Sequence, residues 1–182
     1  MKKILAFAGS NSAESINRTL LEYAVTKFTQ HTVSTIDLRD FDAPLFSQDI
    51  EGQSGIPERI RQLRTVFDEH EAFLIASPEH NGMMPAFFKN TMDWISRMEG
   101  KIFQQKPVML MSTSPGPRGG RTNLANMKAV FPHWGASAVF AGFHLGSFYE
   151  AFNTENRTLT RPEDERALKH AVQSFETYLN GT

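Results

Sequence analysis

The sequence predicts a doubly wound α/β fold: a five-stranded parallel sheet in the order 2-1-3-4-5, with helices on both faces. Three observations predict it. Short apolar runs alternate with amphipathic helical segments along the whole chain. The runs Ile4-Leu5-Ala6-Phe7-Ala8 and Ala72-Phe73-Leu74-Ile75-Ala76 are apolar throughout, as buried parallel strands are. Turns rich in Ser, Gly, Pro and Asn follow the strands, where open parallel sheets hold their ligands. Right-handed crossovers then place helices over both faces.

The elements follow in order. The first strand is Lys3–Ala8. A helix over residues 15–30 carries Leu20, Leu21, Ala24 and Phe28 on one face. Residues 32–37 form the second strand, and residues 38–55 read as a long loop with Pro44, Gly52 and Gly55. Pro57 suits the first turn of the next helix, whose stripe is Ile56, Ile60, Leu63 and Phe67. Ala72–Ala76 is the third strand, and residues 85–98 the helix after it. Residues 107–112 are the fourth strand, residues 114–122 a loop dense in Gly and Pro, and residues 123–131 a helix. Residues 137–141 read as the fifth strand, and residues 142–160 as irregular. Residues 161–180 close the chain as a helix with Leu168, Ala171, Val172, Phe175 and Leu179 facing inward.

With 182 residues and no linker, repeat or low-complexity segment, residues 1–182 read as one domain with a core of its own. The net charge of −1 lacks the basic excess of a nucleic-acid partner. There are no cysteines, which excludes disulfides, thiolate nucleophiles and zinc–thiolate sites, so redox chemistry needs a bound cofactor. Lys2 and Lys3 before an apolar run imitate a signal peptide, but Gly9-Ser10-Asn11 ends the run too early. No stretch reaches the ~20 apolar residues of a membrane span. The expectation is a cytoplasmic protein.

The turn Gly9-Ser10-Asn11-Ser12-Ala13-Glu14-Ser15-Ile16-Asn17 ends the first strand. Its hydroxyls and the helix start behind it can cradle an anion such as a phosphate monoester; the alternative is plain helix capping. It is neither a P-loop nor a Gly-x-Gly-x-x-Gly turn. The turn Ser77-Pro78-Glu79-His80-Asn81-Gly82 ends the third strand. Between a torsion fixed by Pro78 and one released by Gly82, it can aim polar groups at a flat heterocycle. Asn81 both donates and accepts. His80 is open as a general acid, a stacking group or a solvated loop residue. Glu79 is open as a base, a turn-ordering group or a subunit contact. Met83 and Met84 either flank a ring or pack in the core. The third turn, residues 112–122, lies against a ligand or moves as a lid. Arg118 and Arg121 either attract nicotinamide-nucleotide phosphates or are simply solvated. The other histidines, His31, His70, His133, His144 and His170, lack metal-ligand spacing.

These turns, with Asp37-Leu38-Arg39-Asp40, Pro44-Leu45, Pro85 and Lys89-Asn90-x-x-Asp93-Trp94, resemble the NAD(P)H-dependent FMN reductases of the flavodoxin-like superfamily, which include quinone, azo-dye and chromate reductases. The resemblance runs nearly end to end. It implies FMN as cofactor and NADPH or NADH as co-substrate. It implies ping-pong hydride transfer to flavin N5 and onward to a quinone, azo, flavin or metal-oxyanion acceptor, with no catalytic side chain of the protein's own. It places Ser10, Ser15 and Asn17 on the FMN phosphate, with Ser12 and Ile16 in the same turn. It places Pro78, Glu79, His80, Asn81 and Gly82 along the isoalloxazine, and Ser114, Pro115, Gly116 and Gly119 on its other side. It also implies a homodimer or dimer of dimers. Two positions depart from the family habit: Ser12 stands where Arg is frequent, and His80 where Tyr is usual. An FMN-binding electron carrier, or a flavin-binding regulator without an NAD(P)H site, is the alternative.

Overall fold

The computed structural model describes residues 1–181; Thr182, the last residue of the expected domain, lies outside the described residues. Five parallel strands stand in the order β2-β1-β3-β4-β5. They are β1 (Lys3–Ala8), β2 (Thr32–Thr35), β3 (Ala72–Ala76), β4 (Val108–Thr113) and β5 (Val139–Leu145). The helices between them are α1 (Ile16–Val25), α2 (Gln48–Ser54), α3 (Glu58–Asp68), α4 (Ala86–Ile95) and α5 (Arg121–Val130). After β5 come a one-turn α6 (Phe148–Ala151), a small hairpin of β6 (Phe152–Asn153) and β7 (Thr158–Leu159), and the closing α7 (Pro162–Asn180).

Side chains alternate across the central strands, so each strand feeds two cores. Leu5, Phe7, Phe73, Ile75, Val108 and Leu110 pack under α3, α4 and α5 with Ile60, Phe67, Phe88, Trp94 and Phe131. Ile4, Ala6, Leu74, Met109 and Met111 pack under α1, α6 and α7 with Leu20, Phe148, Leu168 and Phe175. That two-sided burial explains why these strands show no polar alternation.

Several boundaries differ from the sequence reading. The first helix stops at Val25, because residues 26–28 continue only in tighter turns, with the N–H of Lys27 donating to Ala24 O. β2 ends at Thr35, and Leu38–Phe41 form a short 3₁₀ turn capped by Asp37. The long loop contains α2, started by Ser47 and tied down by Arg97 on Glu51 at 3.0 Å. None of its residues is fully buried, so no apolar stripe announced it. β5 starts later and runs four residues further than expected, passing Gly142 through an irregularity in its pairing with β4. A Cβ at Gly142 would lie 2.8 Å from the Met109 terminal methyl, so a larger residue there requires the Met109 side chain to shift. The segment read as irregular thus holds the end of β5, α6 and the β6–β7 hairpin.

Residues 43–46 dock on α4. Trp94 Nε1 donates to Pro44 O at 2.7 Å, and the Asn90 amide donates to Ala43 O and Pro44 O while accepting from Phe46 N. Two separated parts of the family-like pattern are therefore one structural unit.

Candidate functional site

The carboxyl ends of β1, β3 and β4 meet at one crevice of about 230 Å³. β1 lies between β2 and β3, so the chain reverses winding direction here, the expected place for a ligand.

The first lip runs from Gly9 to α1. Gly9 is demanded by close approach: a Cβ there would sit 2.7 Å from the Phe88 ring. Ser10 Oγ accepts from Ser12 N, Ser12 Oγ from Glu14 N, and Ser15 Oγ from Arg18 N, at 3.2, 3.2 and 3.3 Å. In each contact the hydroxyl oxygen is the acceptor, so each O–H stays free to donate outward. Ser15 caps α1, and the N–H groups of Ile16 and Asn17 have no acceptor within the helix. Ser10, Ser12, Ser15, Ile16 and Asn17 all line the crevice, together with Glu14. No cation lines this lip. Behind it, Arg18 donates to Ser12 O at 3.2 Å and lies 3.5 Å from Asp37. Side-chain hydrogen bonds from Arg39 hold the Asp37 carboxyl below its ordinary value, against the opposing effect of burial.

The Asn17 amide donates one N–H to Thr113 O and accepts from Thr113 N, both at 3.0 Å, sewing α1 to the end of β4. Its backbone N–H and the second amide N–H are what Asn17 has left to offer the crevice.

The second lip is a tight turn. His80 and Met83 exchange two backbone hydrogen bonds, and Asn81 and Gly82 between them have φ of 53° and 81°. Two positive torsions make this a type I′ turn, which explains the Asn-Gly pair by backbone geometry. Neither residue lines the crevice; Gly82 O accepts instead from Asn126 on α5. Pro78, Glu79 and His80 do line it. Glu79 Oε2 accepts from Asn123 N at 2.9 Å, capping the start of α5. Glu79 thus ties the turn to α5 while still lining the crevice. Beneath the turn, Ser112 donates to Ser77 O, and the Asn123 amide donates to Ser77 Oγ and Pro78 O. Asn123 Oδ1 is buried without a partner, so those two donated bonds alone hold the amide.

The third lip brings Thr113, Ser114 and Pro115 to the crevice. It is pinned rather than poised as a lid. Ser147 N donates to Gly116 O at 2.8 Å, and a Cβ at Gly146 would meet Pro117 O at 2.2 Å. Gly116 and Gly119 lie off the crevice. Gly119 has φ of 59° and backs directly onto the Leu145 backbone, so its place is a packing requirement. Arg118 and Arg121 also lie off it: Arg118 donates to Thr122, and Arg121 donates to His144 Nε2 at 2.6 Å. Burial, aided by the Arg121 charge, lowers the pKa of His144.

Two further residues join the site, Thr113 from inside the third turn and Tyr149 from outside all three. Thr113 is buried at the crevice floor, its hydroxyl donating to Leu145 O. Tyr149 projects from α6 with 69% exposure, edge-on to Phe148 at 5.5 Å. The only signal for Tyr149 was its aromaticity in a segment without periodicity.

Together the fold and the crevice define an α/β protein of the flavodoxin-like class, with a donor-rich helix start at the carboxyl edge of its sheet. Within that class, the chain belongs to the NADPH-dependent FMN reductase family, whose model matches residues 2–150. It is therefore an oxidoreductase of the FMN-reductase and quinone-reductase type, a family that works with FMN and NAD(P)H. It is 31% identical to an NADPH:quinone oxidoreductase of Arabidopsis thaliana, covering 97% of this chain and 91% of that one. It is 30% identical to an NAD(P)H-dependent FMN reductase of Pseudomonas aeruginosa, covering 96% and 91%. Its fold is similar to that of FerB, a flavoenzyme NAD(P)H:(acceptor) oxidoreductase of Paracoccus denitrificans. The TM-score is 0.83 at 23% identity, over 100% of this chain and 98% of that one.

Proposed function

We propose that the protein is an NAD(P)H-dependent FMN oxidoreductase in which pyridine nucleotide and acceptor use one open face of the crevice in turn, a ping-pong scheme. The observation that carries this reading is the first lip. Three serine hydroxyls have their O–H groups free, beside two helix N–H groups that lack acceptors. This donor set suits a phosphate, with about half a unit of positive dipole charge behind it. The cavity is smaller than the ~300–1,000 Å³ that encloses a whole ligand. It suits the anionic end and chain of a larger molecule, whose flat part extends along Pro78, His80 and Pro115.

FMN supplies the hydride chemistry when bound. The protein's residues supply the rest. Ser10, Ser12, Ser15 and the backbone N–H groups of Ile16 and Asn17 hold the phosphate. The I′ turn and the Glu79 cap fix the wall at Pro78 and His80. Asn17 and Thr113 hold the first and third lips at one spacing. The exposed His80 and Tyr149 rings border the entrance and can select flat acceptors such as quinones, azo compounds or a second flavin. No side chain is needed as nucleophile or strong acid. No helix of the described residues is long and apolar enough to cross a membrane, and we place the enzyme in the cytoplasm. Our reading of the assembly is a homodimer or a dimer of dimers.

The test is anaerobic reduction of the FMN-loaded protein by NADPH and by NADH, then re-oxidation by a panel of acceptors. Bleaching of the flavin by nucleotide and its return with quinone support the reading. A protein that takes up no FMN overturns it, and one that holds FMN without oxidising NAD(P)H is an electron carrier.

A further inference from the structure

A cavity of about 780 Å³ lies away from the crevice, along the outer edge of β5. β5 is the last strand of the sheet and pairs only with β4. Val108 N donates to Ala138 O at 2.9 Å. Backbone groups on a strand alternate in direction, so those of Val139 and the N–H of Ala141, ahead of the irregularity at Gly142, point outward. An edge of this kind is a template for another strand. Small residues, Ala141 and Gly142 on β5 and Ala167 and Ala171 on α7, line the groove and leave room for a second backbone.

Its walls carry charge of one sign. Lys128 comes from α5, and Arg166, His170 and Ser174 come from α7, four residues apart and so on one face. No carboxylate lines the groove. Ten ion pairs occupy basic side chains elsewhere among the described residues. Lys128, Arg166 and His170 take part in none of them, and no side chain of the three makes a hydrogen bond among the described residues. A second copy docked edge to edge through the same face would bring like charges together, which disfavours self-association here. An acidic segment meets both features: its backbone continues the sheet, and its carboxylates reach the unpaired cations.

We propose that the β5 edge, between α5 and α7, is a docking groove for an extended acidic segment of a partner protein, bound by strand addition. The main chain supplies pairing, and the basic walls supply selection and a salt-dependent encounter.

The test uses the full-length, FMN-loaded protein and a fluorescein-labelled eight-residue peptide of alternating Glu and Val, followed by anisotropy. We expect saturable binding that weakens at least tenfold when Glu is replaced by Lys. We expect a similar loss in the double variant Lys128→Glu/Arg166→Glu, whose exposed positions do not threaten folding. Ala141→Pro removes one outward N–H at an edge, where proline is tolerated, and is expected to weaken binding about tenfold. Unchanged flavin content and circular dichroism establish that each variant is folded. Four results overturn the proposal. The first is an absence of saturable peptide binding. The second is a charge-reversed protein that binds the peptide as well as wild type does. A duplex DNA oligomer or phosphatidylserine vesicles could bind equally well and depend on the same residues, which makes the groove a general anion patch. Sedimentation could show that the double variant breaks an oligomer, which assigns the face to a second copy.

Discussion

The side-chain amide of Asn17 pairs with the backbone of Thr113 as a strand would, donating to its C=O and accepting from its N–H at 3.0 Å each. Both residues are buried, at 2% and 1% exposure. The pair joins the start of α1 to the end of β4 and so sets the spacing between two lips of the crevice. Asn17→Ala leaves both Thr113 groups without a partner. The expected cost is about 2–4 kcal/mol, read as a lower urea midpoint, with weaker FMN uptake alongside. A loss under about 0.5 kcal/mol would show that water takes over both bonds.

Glu79 separates two roles for a carboxylate in a redox crevice. As a cap on α5 it is structural. Glu79→Ala is expected to cost about 1–2 kcal/mol in stability, the scale of a lost N-terminal cap. At saturating FMN, NADPH oxidation should stay within tenfold of wild type. A fall of a thousandfold with FMN still bound makes Glu79 a catalytic base and refutes the capping role.

The hydroxyls of the first lip should tell FMN from riboflavin. Ser10→Ala removes one free O–H donor and is expected to weaken FMN about tenfold, some 1.4 kcal/mol. Riboflavin lacks the phosphate, and its affinity should change less than threefold. Fluorescence titration of both flavins reads the difference. Equal losses for the two place Ser10 away from the phosphate. Arg18→Gln should act in the same direction, since Arg18 holds Ser12 and brings a positive charge behind the turn.

His144 makes stability depend on pH. Its folded pKa is lowered from the ordinary 6.5, mainly by burial and then by Arg121, while Asp164 opposes. Below that ordinary value the unfolded chain takes up a proton that the folded one resists. The contribution of neutral His144 is therefore complete above about pH 6.5 and lost as pH falls through the lowered folded value. Urea midpoints measured from pH 8 to pH 5 should drop less steeply in His144→Asn. Parallel curves for variant and wild type would refute the role.

Two glycines should fail for different reasons. Gly9→Ala drives a Cβ to 2.7 Å from the Phe88 ring, an overpacking cost of about 1–3 kcal/mol. Gly82→Ala meets only an ordinary contact, Thr122 at 3.6 Å, but keeps φ at 81°, so the cost is backbone strain of about 1 kcal/mol. Thermal denaturation ranks them, and the reverse order contradicts both accounts.

Much of the scaffold was legible because burial on two faces leaves a plain mark: unbroken apolar runs for β1 and β3, and apolar stripes for α3 and α7. α2 left no mark because it buries no residue fully, and β5 hid its length behind Gly142, which packs against a methionine on the neighbouring strand. The serine lip was legible as a helix start with spare hydroxyls, but not the direction of its hydrogen bonds.

By itself the chain determined that five strands alternate with helices, that redox chemistry needs a bound cofactor, and that serine and Pro-Glu-x-Asn-Gly turns sit at the sheet's carboxyl edge. Local pattern is enough for these, since periodicity and turn chemistry act over a few residues. Only tertiary structure decided that Asn17 is tied to Thr113, that Glu79 caps a helix, that Gly82 O accepts from Asn126, and that Tyr149 reaches the crevice. Each depends on partners far away in the sequence, and a group bonded to such a partner is no longer available to a ligand.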